Sequence, residues 1–473
     1  MNILFAASEA VPYAASGGLA DVTGSLPKAI SAKGHNCAVV IPLYKSISAE
    51  QREEMEFVTN LTVDVSWRKQ YCGIFTAEKN GITYYFIDNE YYFNRDGLYG
   101  FYDDCERFVF FDRAVLEMLK HISFKPDIIS CNDWQTALIP VYFQLYYKYQ
   151  QGYDKIKIAF TIHNIEYQGR YGKEVLDELM GIPHYNSGLL EYDGYINMLK
   201  GAIETSDKII TVSPSYAREL LDPWYAYGLD RILVTKQHKM KGILNGIDVD
   251  IYDPEKDPFI AWRFSKNDLS GKTKCKEALL AELGLPIDDE PVIGIVTRFV
   301  KHKGIDLIRC VFDQIVKSGM KFAVLGSGEK IYEDFFLEMG KRYPERVSVT
   351  TGFIPELSRK IYAGSDMFLM PSMSEPCGLA QMIAMRYGTI PIVRETGGLR
   401  DTVHDNGGEN GNGFTFATYN ADDMLDAVGR AKKDHGNSSE WKKLVIRAMN
   451  CDYSWSASAK EYIDTFEELL EDV

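Results

Sequence analysis

A chain of 473 residues has room for two to three domains at about 150 residues each, and 46% hydrophobic with 25% charged residues is the balance of a globular protein with a large core. Lys and Arg number 52 against 67 Asp and Glu, a net charge of −15; so acidic a surface repels a phosphate backbone, which argues against a nucleic-acid partner and asks that any anionic ligand meet a local cluster of cations and backbone N–H groups. The eight cysteines are scattered without a CxxC pair, which gives no support to a zinc or thioredoxin-like motif and suits reduced thiols in the cytoplasm.

The N-terminus runs straight into Ser8-Glu9 without a basic leader, so residues 3–7 read as a buried strand and not as a signal peptide. No apolar run reaches the roughly 18 residues that a membrane span needs. Short apolar runs then recur at 38–41, 127–131, 158–162 and 208–212, separated by amphipathic stretches. Such runs are what a parallel sheet covered on both faces requires. Turn residues gather at Asn245-Gly246-Ile247-Asp248, Tyr252-Asp253-Pro254 and Asp257-Pro258, placing a domain boundary near 245–260. Residues from about 259 to 285 read as helical, and apolar runs resume at 292–297, 322–325, 367–371 and 390–393. Tyr462, Ile463, Phe466, Leu469 and Leu470 follow helical spacing at the end. The expected organisation is α/β, with doubly wound domains over 1–250 and 251–455 and a closing helix over 456–473 that can pack back on the first domain.

Ser16-Gly17-Gly18-Leu19-Ala20-Asp21-Val22 in the first half is echoed by Thr396-Gly397-Gly398-Leu399-Arg400-Asp401-Thr402 in the second. Each pair of glycines stands where a strand gives way to a helix, where backbone can approach a ligand and free N–H groups are on offer. Asp248-Val249-Asp250 imitates a metal-binding Asp-x-Asp, but its place after Asn-Gly-Ile favours a turn.

Several of these runs carry a resemblance. Gly17-Gly18-Leu19-Ala20-Asp21-Val22, Asp133-Trp134, Thr161-Ile162-His163-Asn164, Thr211-Val212-Ser213-Pro214, Leu244-Asn245-Gly246-Ile247-Asp248, Arg298 with Lys303-Gly304, Glu375-Pro376-Cys377-Gly378-Leu379 and Thr396-Gly397-Gly398-Leu399 resemble, in order and over essentially the whole chain, the motifs of bacterial glycogen and plant starch synthases. The resemblance implies two Rossmann-like domains facing across a cleft, the GT-B architecture. It implies transfer of glucose from ADP-glucose to the non-reducing end of an α-1,4-glucan with retention, no metal and no other cofactor.

It also implies site residues. Breaking the C1–O bond puts negative charge on a departing diphosphate, and Arg298 with Lys303 supplies a guanidinium fork and an ammonium to hold it. Glu375, placed before a long helical stretch, is expected to hydrogen-bond the donor glucose, with Cys377, Gly378 and Leu379 offering backbone. His163 and Asp133 end strands, where doubly wound folds bind ligands, and are expected beside the transferred sugar. Gly17, Gly18, Thr396, Gly397 and Gly398 are expected to approach substrate, Asp21 to orient the basic pair, and Asn245 to reach a glucose hydroxyl. Phe353 is either a nucleobase platform or a core ring. No side chain in the set is an obvious covalent nucleophile, which favours front-face displacement.

The chain departs from the family pattern at Ala15, where a lysine is usual, at Gln135 in place of His, and at Ala380 in place of Thr or Ser. Ile383 stands where related transferases carry a second Glu. A missing cation beside a diphosphate costs about 1–3 kcal/mol if nothing replaces it. Two other readings therefore stand beside a synthase: a glucan-binding protein with weakened or lost transfer, and a related retaining transferase that uses UDP-glucose.

Overall fold

Each of the apolar runs becomes a parallel strand. The computed structural model describes residues 1–408 and 410–471, and its chain divides into two units. The first takes Met1–Val212, Ala217–Gly246 and the C-terminal segment from Trp455. Its strands are β1 (Asn2–Ala6), β2 (Asn36–Pro42), β3 (Glu56–Val65), β4 (Arg68–Lys79), β5 (Ile82–Asp88), β6 (Ile128–Asn132) and β7 (Lys157–Ile162). The short β8 (Arg170–Tyr171), β9 (Glu191–Tyr192) and β10 (Tyr195–Asn197) form a separate antiparallel sheet, and β11 (Lys208–Thr211) and β12 (Met240–Gly242) complete the large one.

The large sheet runs β12-β11-β7-β6-β1-β2-β5-β4-β3. From β12 to β5 every pairing is parallel, with Phe5 opposite Val39 on one side and Ser130 on the other. Only the β5–β4 and β4–β3 pairings of this sheet are antiparallel. The β3–β4 hairpin was not read from the sequence, because its strands mix polar with apolar residues and many are exposed, Phe57 and Tyr71 among them. The C-terminal helix, Trp455–Glu471, packs Trp455, Tyr462, Ile463, Phe466 and Leu469 into one cluster with Ile3, Phe5, Val39 and Leu26. Ser458 Oγ also donates to Leu244 O at 2.7 Å.

The second unit takes Ser213–Tyr216 and Ile247–Ser454. Its six strands are β13 (Val292–Phe299), β14 (Lys321–Gly328), β15 (Val347–Thr351), β16 (Met367–Met370), β17 (Ile390–Arg394) and β18 (Phe414–Phe416). All pair in parallel in the order β15-β14-β13-β16-β17-β18. The helix expected over 259–285 is confined to Ser270–Glu282. Before it the chain is folded back on itself: Ser265 and Asp268 exchange backbone hydrogen bonds, and a Cβ added to Gly271 would lie 2.2 Å from Arg263 O. Asp248-Val249-Asp250 is the expected turn, with Asp248 Oδ1 accepting from the N–H groups of Asp250 and Ile251, both at 3.0 Å.

Both parallel sheets wind outward from their first strand, which lies beside the second strand on one flank and the fourth parallel strand on the other. The direction of winding reverses between β1 and β6 in the first unit and between β13 and β16 in the second. In doubly wound sheets the carboxyl ends of the strands at such a reversal are where ligands bind. Among the described residues no helix is long and apolar enough to cross a membrane.

Candidate active site

In the first unit the reversal point is built from the segments after β1, β6 and β7. Leaving β1, the chain buries Ser8 and Glu9, and the Glu9 carboxylate accepts from Ser16 N at 2.5 Å. Burial raises the pKa of that carboxylate. Beyond this pin, Ala15, Ser16, Gly17 and Gly18 are exposed, and Gly18 opens the helix Gly18–Ser31, whose first N–H groups have no side-chain cap. A Cβ on Gly17 or Gly18 would meet nothing within 4 Å. No internal packing demands glycine there, so the space they keep clear faces outward. Asp21 lies exposed in the first turn of the same helix.

Asp133 follows β6 with φ 58° and ψ −177°, and its Oδ1 accepts from His163 N at 2.7 Å and Asn164 N at 3.4 Å. Desolvation pushes its pKa up to about 7, against the pull of those two donors. His163, at the end of β7, has Nε2 2.9 Å from Asn132 Oδ1. The Asn132 amide donates Nδ2 to Ala6 O and Ser130 O at 3.0 and 3.1 Å, which turns its oxygen towards the ring. Nε2 therefore carries the proton, and Nδ1 is left as an acceptor. Desolvation lowers the His163 pKa to about 3, so the ring is neutral at physiological pH. Asn245 is buried after β12, its Oδ1 without a partner among the described residues, and the Oε1 of buried Gln135 is likewise unmatched.

In the second unit Arg298 is exposed near the carboxyl end of β13, and its guanidinium makes no hydrogen bond or ion pair with any described residue. The chain then makes a short turn, Lys301–Lys303, and Gly304 closes it at φ +76°. A Cβ at Gly304 would strike Pro371 O at 2.0 Å, and Met373 N donates to His302 O at 2.8 Å, so this turn is pressed against the loop leaving β16. That contact brings together two of the expected residues. Lys303 Nζ lies 2.6 Å from Glu375 Oε2, which also accepts from Ser372 Oγ at 3.0 Å.

The helix after this loop is not the long one expected but seven residues, Ala380–Arg386; Tyr387 and Gly388, the latter at φ +67°, end it. Cys377 is buried, Gly378 sits at φ +74°, and Leu379 is half-buried at the helix start. Gln381, fully buried, donates Nε2 to Cys377 O at 3.2 Å and Gly378 O at 2.9 Å.

The second glycine pair differs from the first. Thr396, Gly397 and Gly398 are buried, and Cβ atoms on the glycines would come within 2.0 Å of Glu375 O and 2.1 Å of Cys377 O. Gly398 N donates to Glu375 O at 3.1 Å. These glycines let a helix start press against the Glu375 loop, a packing demand that explains them without a ligand. Phe353 is 90% exposed, which removes its reading as a core ring. Asn132, Ser372 and Gln381 were missed in the sequence, since nothing in a motif shows which neighbouring side chain turns to face it. Among the described residues no three His, Cys, Asp or Glu gather as a metal site.

Residues 2–235 match the family described as starch synthase catalytic domain, and residues 282–445 match glycosyl transferases group 1. The chain is 46% identical to a glycogen synthase of Geobacillus thermodenitrificans, over 99% of its own length and 98% of that protein's. It is 47% identical to one of Desulforamulus reducens over 99% of each. The structure matches the catalytic domain of Arabidopsis thaliana starch synthase IV, bound to ADP and acarbose, with a TM-score of 0.90 and 35% identity over 99% of each chain. A sucrose-phosphate synthase of Thermosynechococcus elongatus, at 16% identity and a TM-score of 0.63 over both full lengths, shares the fold. The expected GT-B architecture is the one these likenesses bear out.

Proposed function

The chain belongs to the starch and glycogen synthase family, and from that premise we propose that it lengthens an α-1,4-glucan, moving glucose from ADP-glucose to the non-reducing end with retention of configuration. The observation that carries this reading is an unengaged guanidinium, Arg298, on the strand-end segment that also carries Lys303, itself paired with Glu375 of the loop leaving β16. An arginine left without a partner near the carboxyl end of β13, where the winding reverses, suits an incoming anion. The ADP held by the Arabidopsis relative supports a nucleoside diphosphate as that anion.

In this reading Arg298 and Lys303 neutralise the charge that develops on the leaving diphosphate. Lys303 at the same time fixes the Glu375 carboxylate, whose remaining acceptor capacity orients the donor glucose. His163 stays neutral and takes a sugar hydroxyl on Nδ1, while Asp133 holds the His163 main chain. With no covalent nucleophile assigned, the acceptor oxygen attacks from the face the diphosphate leaves, and a phosphate oxygen takes its proton. None of the eight cysteines is joined in a disulfide, which suits a cytoplasmic setting.

Steady-state release of nucleoside diphosphate, with a glycogen primer and either ADP-glucose or UDP-glucose, tests the reading. Turnover with ADP-glucose is expected, and Arg298→Ala should lower kcat/KM by about 100-fold or more, with Arg298→Lys recovering only part. Turnover confined to UDP-glucose would reassign the donor. A second reading rests on Ala15, exposed in an open glycine loop without its usual cation. Glycogen binding without release of either diphosphate would favour that reading, a glucan-binding protein that has lost transfer.

A further inference from the structure

The Glu375 loop is held from behind by residues to which no role has been given. Its chain at Pro376 has no N–H, so the carbonyl is the one main-chain group there that can be held by a hydrogen bond. That carbonyl accepts from Gly398 N at 3.2 Å and from Ser213 Oγ at 2.6 Å. Ser213 is fully buried and belongs to Ser213–Tyr216, four residues that the second unit takes from a stretch whose flanks belong to the first. The same segment is fixed once more. Ser215 donates its N–H and its hydroxyl to the two oxygens of Asp401, at 2.7 and 2.6 Å. Asp401 stands in the helix Gly397–Thr402, the element whose Gly398 N–H also holds the loop. Hydrogen bonds to a carboxylate are stronger than neutral ones, so Asp401 anchors the segment that presents Ser213 to Pro376.

We propose that Ser213, Ser215 and Asp401 are positioning residues for the Glu375 loop, a brace that fixes the main chain next to the carboxylate paired with Lys303. The assignment of a role in turnover rests on the function proposed above; the mechanical part does not. Freed of Ser213, the Pro376 carbonyl keeps the Gly398 N–H but loses its shortest hydrogen bond, and the Glu375 carboxylate drifts with the backbone that carries it. A displacement of about 1 Å in a reacting group costs on the order of 100-fold in rate.

Two readouts on the full-length protein test this. Amide hydrogen exchange of residues 375–379 should quicken in Ser213→Ala and Asp401→Ala, while exchange in β13, β14 and the first unit stays as in the wild type. Asp401→Asn, which keeps one acceptor oxygen, should fall between. In the diphosphate-release assay both alanine variants should lose kcat by about 10-fold or more with donor KM little changed. In a Glu375→Ala background, Ser213→Ala should then cost nothing further, because residues acting through one group are not additive. Unchanged exchange at 375–379, or losses that add fully to that of Glu375→Ala, overturns the proposal. A wild type without turnover would instead count against the function, leaving hydrogen exchange to decide the brace.

Discussion

Asp133 shows what one residue is made to bear. Its backbone, at φ 58° and ψ −177°, occupies a region that is almost the preserve of glycine and costs about 1–3 kcal/mol. Its carboxylate is also desolvated enough to raise the pKa to about 7. A carboxyl whose folded pKa exceeds its unfolded value of about 4 favours the folded state most below that value. The contribution is lost as pH rises through about 7. Asp133→Asn keeps an oxygen for the His163 and Asn164 N–H groups but has no charge to bury. The variant should therefore match or trail the wild type at pH 4 and melt higher at pH 8, as read by thermal denaturation, while losing turnover. His163 carries the opposite lesson. Its position at a strand end was legible in the sequence, but its neutrality follows from a desolvated ring and an asparagine amide that only the fold turns towards it.

At the scale of elements, the apolar runs located β1, β2, β6, β7, β11, β13, β14, β16 and β17, because a strand covered on both faces has no polar side to show. Among what escaped were β5, β12, β15 and β18, the exposed β3–β4 hairpin, and the folded-back chain before Ser270. The glycine pairs are a finer case. Two near-identical strings fill different needs, one leaving space open and the other admitting a neighbouring backbone, and burial with the added-Cβ contacts tells them apart. Ion pairs also fasten elements. Asp366, just before β16, accepts from Val292 N at 2.8 Å, meets Lys276 Nζ at 2.8 Å and lies 3.4 Å from His435 Nε2. Burial alone would raise its pKa, but the hydrogen bonds and charges of His435 and Lys276 hold it well below the carboxylate range. A depressed carboxylate stabilises the fold above its unfolded pKa and ceases to do so as pH falls through the folded one. Asp366→Asn should thus lower stability by roughly 3 kcal/mol at pH 7 in urea denaturation, with the gap to wild type narrowing below pH 4.

Across the whole molecule, the first unit is discontinuous while nearly all of the second is one stretch of chain. The first core closes only with the helix Trp455–Glu471, whose Phe466 is fully buried against residues of β1 and β2. Phe466→Ala should cost about 3–5 kcal/mol, measured as a lowered urea midpoint. The periodic apolar stripe made that helix legible; the surface it covers was not, because a stripe names no partner.

The order of synthesis gives this arrangement a further consequence. At about 5–20 residues per second, the ribosome finishes Gly246 on the order of 10–40 s before it has made Trp455 through Glu471. During that interval β1, β2 and the helix Gly18–Ser31 wait with an apolar groove uncovered, while the later unit is still being made. The nascent N-terminal half is the stage at which chaperones have most to protect, and a fragment stopped at residue 246 would keep that groove open for good.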